Sequence, residues 1–373
     1  MEELKARSLE RYLQESLGGT VKLKGVGEIG SLDEQAMKQF GYGRSLKVTF
    51  ERDGKEERAV FSVMRGDRYG HQFYWDRAAI LMFEYDTSAR MEKHIRPLGL
   101  GYIDEDGQLV PVKKPKEFFI VNEMADGEPY SVDLERVRGG DFRPGDVERV
   151  REFARWLARV HSQKVNNPDI YLRRVRQLIG DSECIWGLID AYPYPYEYFP
   201  PDKFQRLEKE LVDWRWKLRK YTYRLSVTHG DFHPWNVLVR PDGDFSVLDR
   251  SRGEWGEPAD DVATMSCNLI LYGLYHGPRF SGAFEEMYLS FWEEYLEKTG
   301  DVEILEVIAP FYVFRGLVIA NPEWYPDHPL HVRQGLLRFV ENVLYEERFD
   351  YRNIGKYLDS PVVYSGREER GDN

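Results

Sequence analysis

The chain has 373 residues, 42% apolar, 14% aromatic and 31% charged, which excludes disorder and predicts two domains or lobes in place of one compact unit. The net charge of −12 argues against binding along a nucleic-acid backbone, because Lys and Arg supply that attraction. No apolar run reaches the roughly 18 residues of a membrane helix, the charged N-terminus lacks a signal-peptide core, and Cys184 and Cys267 support neither a disulfide framework nor a cysteine metal site; the expectation is a cytoplasmic protein with no membrane or nucleic-acid partner.

In chain order, Glu2 to Ser16 is predicted as a helix that stops at Gly18-Gly19. Three strands follow, in "TVKLKGVGEI", "RSLKVTFE" and "ERAVFSVMR", the last two joined by a turn at Asp53-Gly54. "DRAAILMFEYDTSARMEKHI" reads as a helix and "EFFIVNEMADGEPY" as an apolar strand that breaks at Ala125-Asp126-Gly127. From about Glu128 the pattern turns helical: one helix in "PGDVERVREFARWLARVHSQ", one over "NNPDIYLRRVRQLIGDSECIWGLI" and one in "KFQRLEKELVDWRWKLRKY". Four more helices are predicted near 258–276, 283–299, 302–320 and 327–347. The expected organisation is an N-terminal lobe over 1–123, a hinge over 124–127, a C-terminal lobe over 128–350 and a frayed tail over 351–373.

The segment from Val227 to Gly253, VTHGDFHPWNVLVRPDGDFSVLDRSRG, concentrates His229, Asp231, His233, Asn236 and Asp249 around two short apolar runs. Pro241-Asp242-Gly243-Asp244 is turn chemistry. A four-residue loop there would set Arg240 opposite Phe245, Val237 opposite Leu248, and Asn236 beside Asp249, with α-carbons about 5 Å apart. Two oxygen donors beside the Asp231 carboxylate suit a hard cation such as Mg²⁺, whose remaining positions go to water and phosphate. The arrangement fits phosphoryl transfer. Two alternatives use the same residues. His229, Asp231 and His233 alternate, and on one strand face they would make part of a zinc or two-metal hydrolase site. A hairpin with polar caps and no chemistry is the plainer one.

"HGDFHPWN" resembles the H-G-D-x-x-x-x-N catalytic loop of the aminoglycoside phosphotransferase and choline kinase family, relatives of the protein kinases. "VLD" resembles that family's metal-binding strand end, "GEPADDVA" its G-D-P-A-x-D-L-A segment, "LARVH" its L-A-x-L-H helix end, and "FFIVNEMADGEPY" its hinge. The resemblance covers about residues 20–350. It implies an α+β, two-lobed protein-kinase-like fold, with a small N-terminal β-sheet lobe and a larger, mainly helical C-terminal lobe. The implied reaction is Mg²⁺-dependent transfer of the γ-phosphoryl of ATP or GTP to the hydroxyl of a small molecule. Asp231 would be the catalytic base. Asn236 and Asp249 would hold Mg²⁺, Asp261 and the histidines would brace the loop, and the backbone at Glu123 and Ala125 would meet adenine.

The N-terminal lobe departs from the family pattern. Gly41, Gly43 and Ser45 would form the phosphate loop, or else an ordinary turn. The family's third strand carries a Lys for the α- and β-phosphates; "AVFSVMR" places Ser62 or Arg65 there, and Lys47 on the neighbouring strand is a second substitute. Glu84 is the candidate carboxylate to pair with that cation, or else a solvated helix residue. A nucleotide-binding module without turnover is the alternative this departure raises. Arg250 and Arg252 suit an anionic acceptor, while Glu254, Trp255 and Glu257 suit an amine, so the acceptor's charge stays open.

Overall fold

A computed structural model describes residues 6–28, 43–68, 70–88, 90–113, 115–277 and 279–359. The chain divides into two units, residues 1–122 and 123–373, and each has its own hydrophobic core. Gly41, and the tail expected to fray beyond Asp359, lie outside the described residues.

In the first unit α1 (Ala6–Leu17) precedes β1 (Val21–Glu28), β2 (Gly43–Arg52) and β3 (Lys55–Met64), an antiparallel sheet in that order. Arg52 pairs with Lys55 across Asp53 and Gly54, both with positive φ (+49° and +82°). This is the two-residue turn whose twist matches that of the strands. Alternation along β2 turns Val48 and Phe50 inward, where they pack with Leu9 and Leu13 of α1. Next come α2 (Tyr74–Ser88), shorter than the helix predicted to run to Ile95, and a hairpin of β4 (Leu100–Ile103) and β5 (Leu109–Val112) that the sequence reading passed over. The Leu109 N–H donates to Ser8 Oγ (2.7 Å), which ties this hairpin to α1.

The second unit opens with β6 (Glu128–Pro129), α3 (Tyr130–Arg138), α4 (Pro144–His161), α5 (Pro168–Gly180), α6 (Ile185–Asp190) and α7 (Pro201–Leu218). The apolar strand predicted from Glu117 does not form: only Glu128 and Pro129 pair, with Val239 and Leu238, and Phe119, Ile120, Val121 and Met124 are exposed. An apolar run makes a strand only where a neighbouring edge takes its backbone groups. The single helix expected over Asn166 to Ile189 breaks at Asp181, leaving α5, capped by Asn167 Oδ1 on the Ile170 N–H, and the short α6. Four short strands follow: β7 (Ser226–Val227), β8 (Val237–Val239), β9 (Phe245–Val247) and β10 (Trp255–Gly256). β10 pairs with β7, and β8 lies between β6 and β9.

The remaining helices are α8 (Ala259–Leu274), α9 (Ala283–Thr299), α10 (Ile304–Val307), α11 (Ala309–Ala320), α12 (Leu330–Val343) and α13 (Gly355–Asp359). α8 and α11 are buried nearly all round and form the centre of the unit, with α9 and α12 packed on them. The α+β class is as expected: small antiparallel sheets, with most helices in the second unit. Among the described residues no helix is long and apolar enough to cross a membrane.

Candidate active site

The polar residues singled out in the sequence sit on two loops of the second unit, one after β7 and one after β9. β8 and β9 pair Val237 with Val247, Leu238 with Ser246 and Val239 with Phe245. This register is one residue away from the expected one. The Arg240 N–H donates to Asp244 O (2.8 Å) and the Gly243 N–H to Arg240 O (3.0 Å), so the loop is Pro241–Gly243, three residues and not four. Gly243 has φ +89°, the left-handed residue that follows a type I turn in such hairpins. Asn236 therefore faces Leu248, whose N–H donates to Asn236 O (2.9 Å). Asp249 comes one step later, at φ +56°, where the chain leaves strand geometry. Its Oδ1 accepts the Ser251 N–H (3.2 Å).

Asn236 Nδ2 donates to the Asp231 carbonyl (3.1 Å), which leaves the Asn236 carboxamide oxygen for another partner. That oxygen and the exposed Asp249 carboxylate are hard donors on adjoining strand ends, and they fit Mg²⁺ better than zinc. The strand face that would have aligned His229, Asp231 and His233 is absent, because β7 ends at Val227 and the residues after it form a loop and a short 3₁₀ turn over Pro234–Asn236. Among the described residues no three His, Cys, Asp or Glu side chains are grouped to hold a metal ion.

The loop carrying Asp231 is built on the buried Asp261, at the start of α8. Its carboxylate accepts the His229 N–H (2.8 Å), the Gly230 N–H (2.7 Å) and a hydrogen bond from His161 Nε2 (3.1 Å). His161, at the end of α4, is fully enclosed and meets Tyr295 Oη through Nδ1 (2.9 Å), so it is both a packing residue and a loop support. Gly230 has φ +86°, and a Cβ there would lie 2.8 Å from the backbone of Arg252 and Gly253; only glycine fits. His229 Nδ1 accepts the Asp231 N–H (3.2 Å), a bracing role. His233 Nε2 lies 3.7 Å from Asp231 Oδ2, beyond a hydrogen bond.

Arg315, on α11, was not anticipated. Its Nη1 donates to Asp231 Oδ1 (2.5 Å), and its Nη2 to the Gly230 carbonyl (2.7 Å) and Asp260 Oδ1 (2.8 Å). Burial pushes the Asp231 carboxyl up, but the charge of Arg315, with His233 and Arg252, outweighs it and holds the group below the ordinary carboxylate range. Asp260 shifts the other way: burial pushes it up too, and with its neighbour Asp261 outweighs the charge of Arg315, so the group lies above the ordinary carboxylate range. Sequence held one clue: a single Arg inside the otherwise apolar APFYVFRGLVIA.

Several residues considered for acceptor binding have structural partners. Glu257 is buried against Arg224, which donates to both its oxygens (2.8–3.0 Å), and accepts from Tyr171 Oη (2.9 Å). Arg250 donates to the carbonyls of Thr228 (3.1 Å) and Glu254 (3.3 Å). Arg252 donates to Glu183 O (3.1 Å) and lies over the Phe314 ring. In the first unit Gly43 begins β2 opposite Met64, Ser45 Oγ meets Ser62 Oγ (2.9 Å), and the exposed Lys47 pairs with Val60, on the same sheet face as Ser62. Arg65 follows β3, and Glu84 is exposed on α2. Glu123 and Ala125 lie outside any strand, at the start of the second unit.

Residues 108–299 match the model of the phosphotransferase enzyme family. None of the curated proteins matches the chain. Among solved structures, a glucosamine kinase in complex with glucosamine, ADP and inorganic phosphate is 16% identical over 55% of this chain and 57% of its own length, with a TM-score of 0.37, so the chain spans little more than half of that protein. The choline kinase of Streptococcus pneumoniae is 11% identical (91% of this chain, 98% of that one, TM-score 0.33). An aminoglycoside phosphotransferase of Streptomyces rimosus is 14% identical (83% and 99%, TM-score 0.34). The family match takes in the Asp231 loop, the β8–β9 hairpin and Asp261, and the chain belongs to the phosphotransferase enzyme family.

Proposed function

We propose that the protein transfers the γ-phosphoryl of ATP or GTP to the hydroxyl of a small molecule, with Asp231 as catalytic base. The observation that carries this reading is the setting of Asp231: its backbone is fixed through Gly230, His229 and Asn236, one carboxylate oxygen is bound and the other takes no hydrogen bond from a described residue. A carboxylate that stays ionised and oriented can accept the hydroxyl proton as the oxygen attacks phosphorus. Asn236 and Asp249 would hold Mg²⁺, which when bound neutralises phosphate charge. The backbone at Glu123 and Ala125 would meet the base. Gly41, Gly43 and Ser45 would approach the phosphates, with Lys47 or Arg65 as their cation and Glu84 as the carboxylate behind it. Catalysis then comes mainly from positioning and charge neutralisation.

The test is Mg²⁺-dependent ADP release with a panel of hydroxyl compounds, led by glucosamine, choline and ethanolamine, the compounds named for similar kinases. One acceptor is expected to stimulate turnover, and Asp231→Ala to lower it roughly 10²- to 10⁴-fold. Undiminished turnover in that variant removes Asp231 from the chemistry. A second reading, a nucleotide-binding module without turnover, is favoured by "AVFSVMR", which has no Lys and brings Ser62 or Arg65 near the place of the family's strand Lys. ATP binding with no acceptor turned over would support it.

A further inference from the structure

Arg315 is about 6% exposed, inside a helix whose other residues are nearly all apolar and buried. A buried guanidinium loses hydration worth several kcal/mol, and hydrogen-bonded partners have to offset that loss. The partners here come from two different elements: Gly230 and Asp231 on the loop after β7, and Asp260 at the start of α8. The planar fork takes the side chain of Asp231 with one nitrogen and the preceding carbonyl with the other, a pair of bonds that a lysine ammonium cannot make in one plane. Asp260 and the Phe314 ring, 4.6 Å from the guanidinium, hold the fork in place.

We infer that Arg315 is a positioning residue for phosphoryl transfer: it fixes Asp231 through Oδ1 and the Gly230 carbonyl, and so makes Oδ2 the oxygen that receives the acceptor's proton. Arg315 meets neither nucleotide nor acceptor in this role and acts only through Asp231. The inference rests on the reading of Asp231 as base. Loss of the fork leaves the carboxylate free to rotate, and the proton-accepting oxygen loses its alignment. The binding of either substrate is untouched.

The test uses Arg315→Met, Arg315→Lys and Arg315→Ala in the full chain, each checked for folding by circular dichroism. Crystal structures of the Met and Lys variants come first. The Asp231 carboxylate is expected to leave its wild-type rotamer in Arg315→Met and to stay closer to it in Arg315→Lys. An unmoved carboxylate in both overturns the inference. Kinetics follow with whichever panel compound gives turnover. In Arg315→Met kcat is expected to fall roughly 100-fold while KM for ATP and for the acceptor stay within about threefold. Arg315→Lys should recover part of kcat, and free guanidinium ion should recover part of it in Arg315→Ala. A rise in KM at constant kcat, or a loss that only follows the folded fraction, overturns the inference. If the wild-type protein turns over no acceptor, the phosphotransfer reading fails, and the crystal structures still decide whether Arg315 holds Asp231.

Discussion

Asp261 collects two backbone N–H groups and an imidazole on one buried carboxylate, and this fixes where Asp231 can be. Burial pushes the Asp261 carboxyl up, but the His161 hydrogen bond, the charge of that ring and the His229 N–H outweigh it, and the group lies below its ordinary 3.8. A depressed carboxyl stabilises the fold fully above its unfolded value, and the contribution is lost as pH falls from there toward the folded value. Urea midpoints measured between about pH 4 and pH 2 should therefore fall more steeply for the wild type than for Asp261→Asn. At neutral pH the variant should be less stable by about 1–3 kcal/mol, because at least one of the three buried donors is left facing an amide N–H where it had a charged acceptor. Parallel midpoint curves would show that Asp261 does not carry this charge effect. The residues of this loop were legible because they are close together and of few chemical types. Arg315 was not, because it lies 84 residues from Asp231, and a lone charge in an apolar helix signals a partner without naming it.

The β8–β9 hairpin shows how far a turn sequence fixes an element. "RPDGD" reads as a turn from its residue types alone, but the composition fits a three- or a four-residue loop, and loop length sets the register. Pro241 suits the second position of a type I turn, and Gly243 takes the left-handed place that closes it, where Arg149 of α4 donates to its carbonyl. The same turn recurs unforeseen between β4 and β5: the Asp104 N–H donates to Gln108 O, and Gly107 has φ +74°. Strands of only four residues give too little alternation to be recognised. The slip leaves the site intact because Asp249 leaves strand geometry directly after Leu248. Gly243→Ala should destabilise the protein by roughly 1 kcal/mol, the cost of a side chain at positive φ. A Cβ there meets only Arg149 Nη2, at 3.8 Å, so the cost is conformational and not a clash. Chemical denaturation checks the value, and a variant as stable as wild type would mean that the left-handed turn is not the one adopted.

At the scale of the whole molecule the two cores are unequal. The first unit buries Leu9, Leu13, Val21, Val48, Phe50 and Leu109. The second buries a continuous cluster running from Tyr130 to Leu358, tied further by Arg224, which joins Glu257, Asp301 and Glu303. No residue of one cluster appears in the other. Stability grows with the apolar area removed from water, so the first unit should unfold at a lower temperature than the second, in two transitions. The tryptophans make this measurable. Of nine in the chain, Trp75 alone falls within residues 1–122, and the other eight lie in the second unit. The first transition should remove far-ultraviolet circular dichroism while leaving most of the tryptophan emission unchanged, and the second should shift that emission. One transition, coincident by both probes, would mean that the small core does not melt independently of the large one and that the units unfold as a single cooperative body.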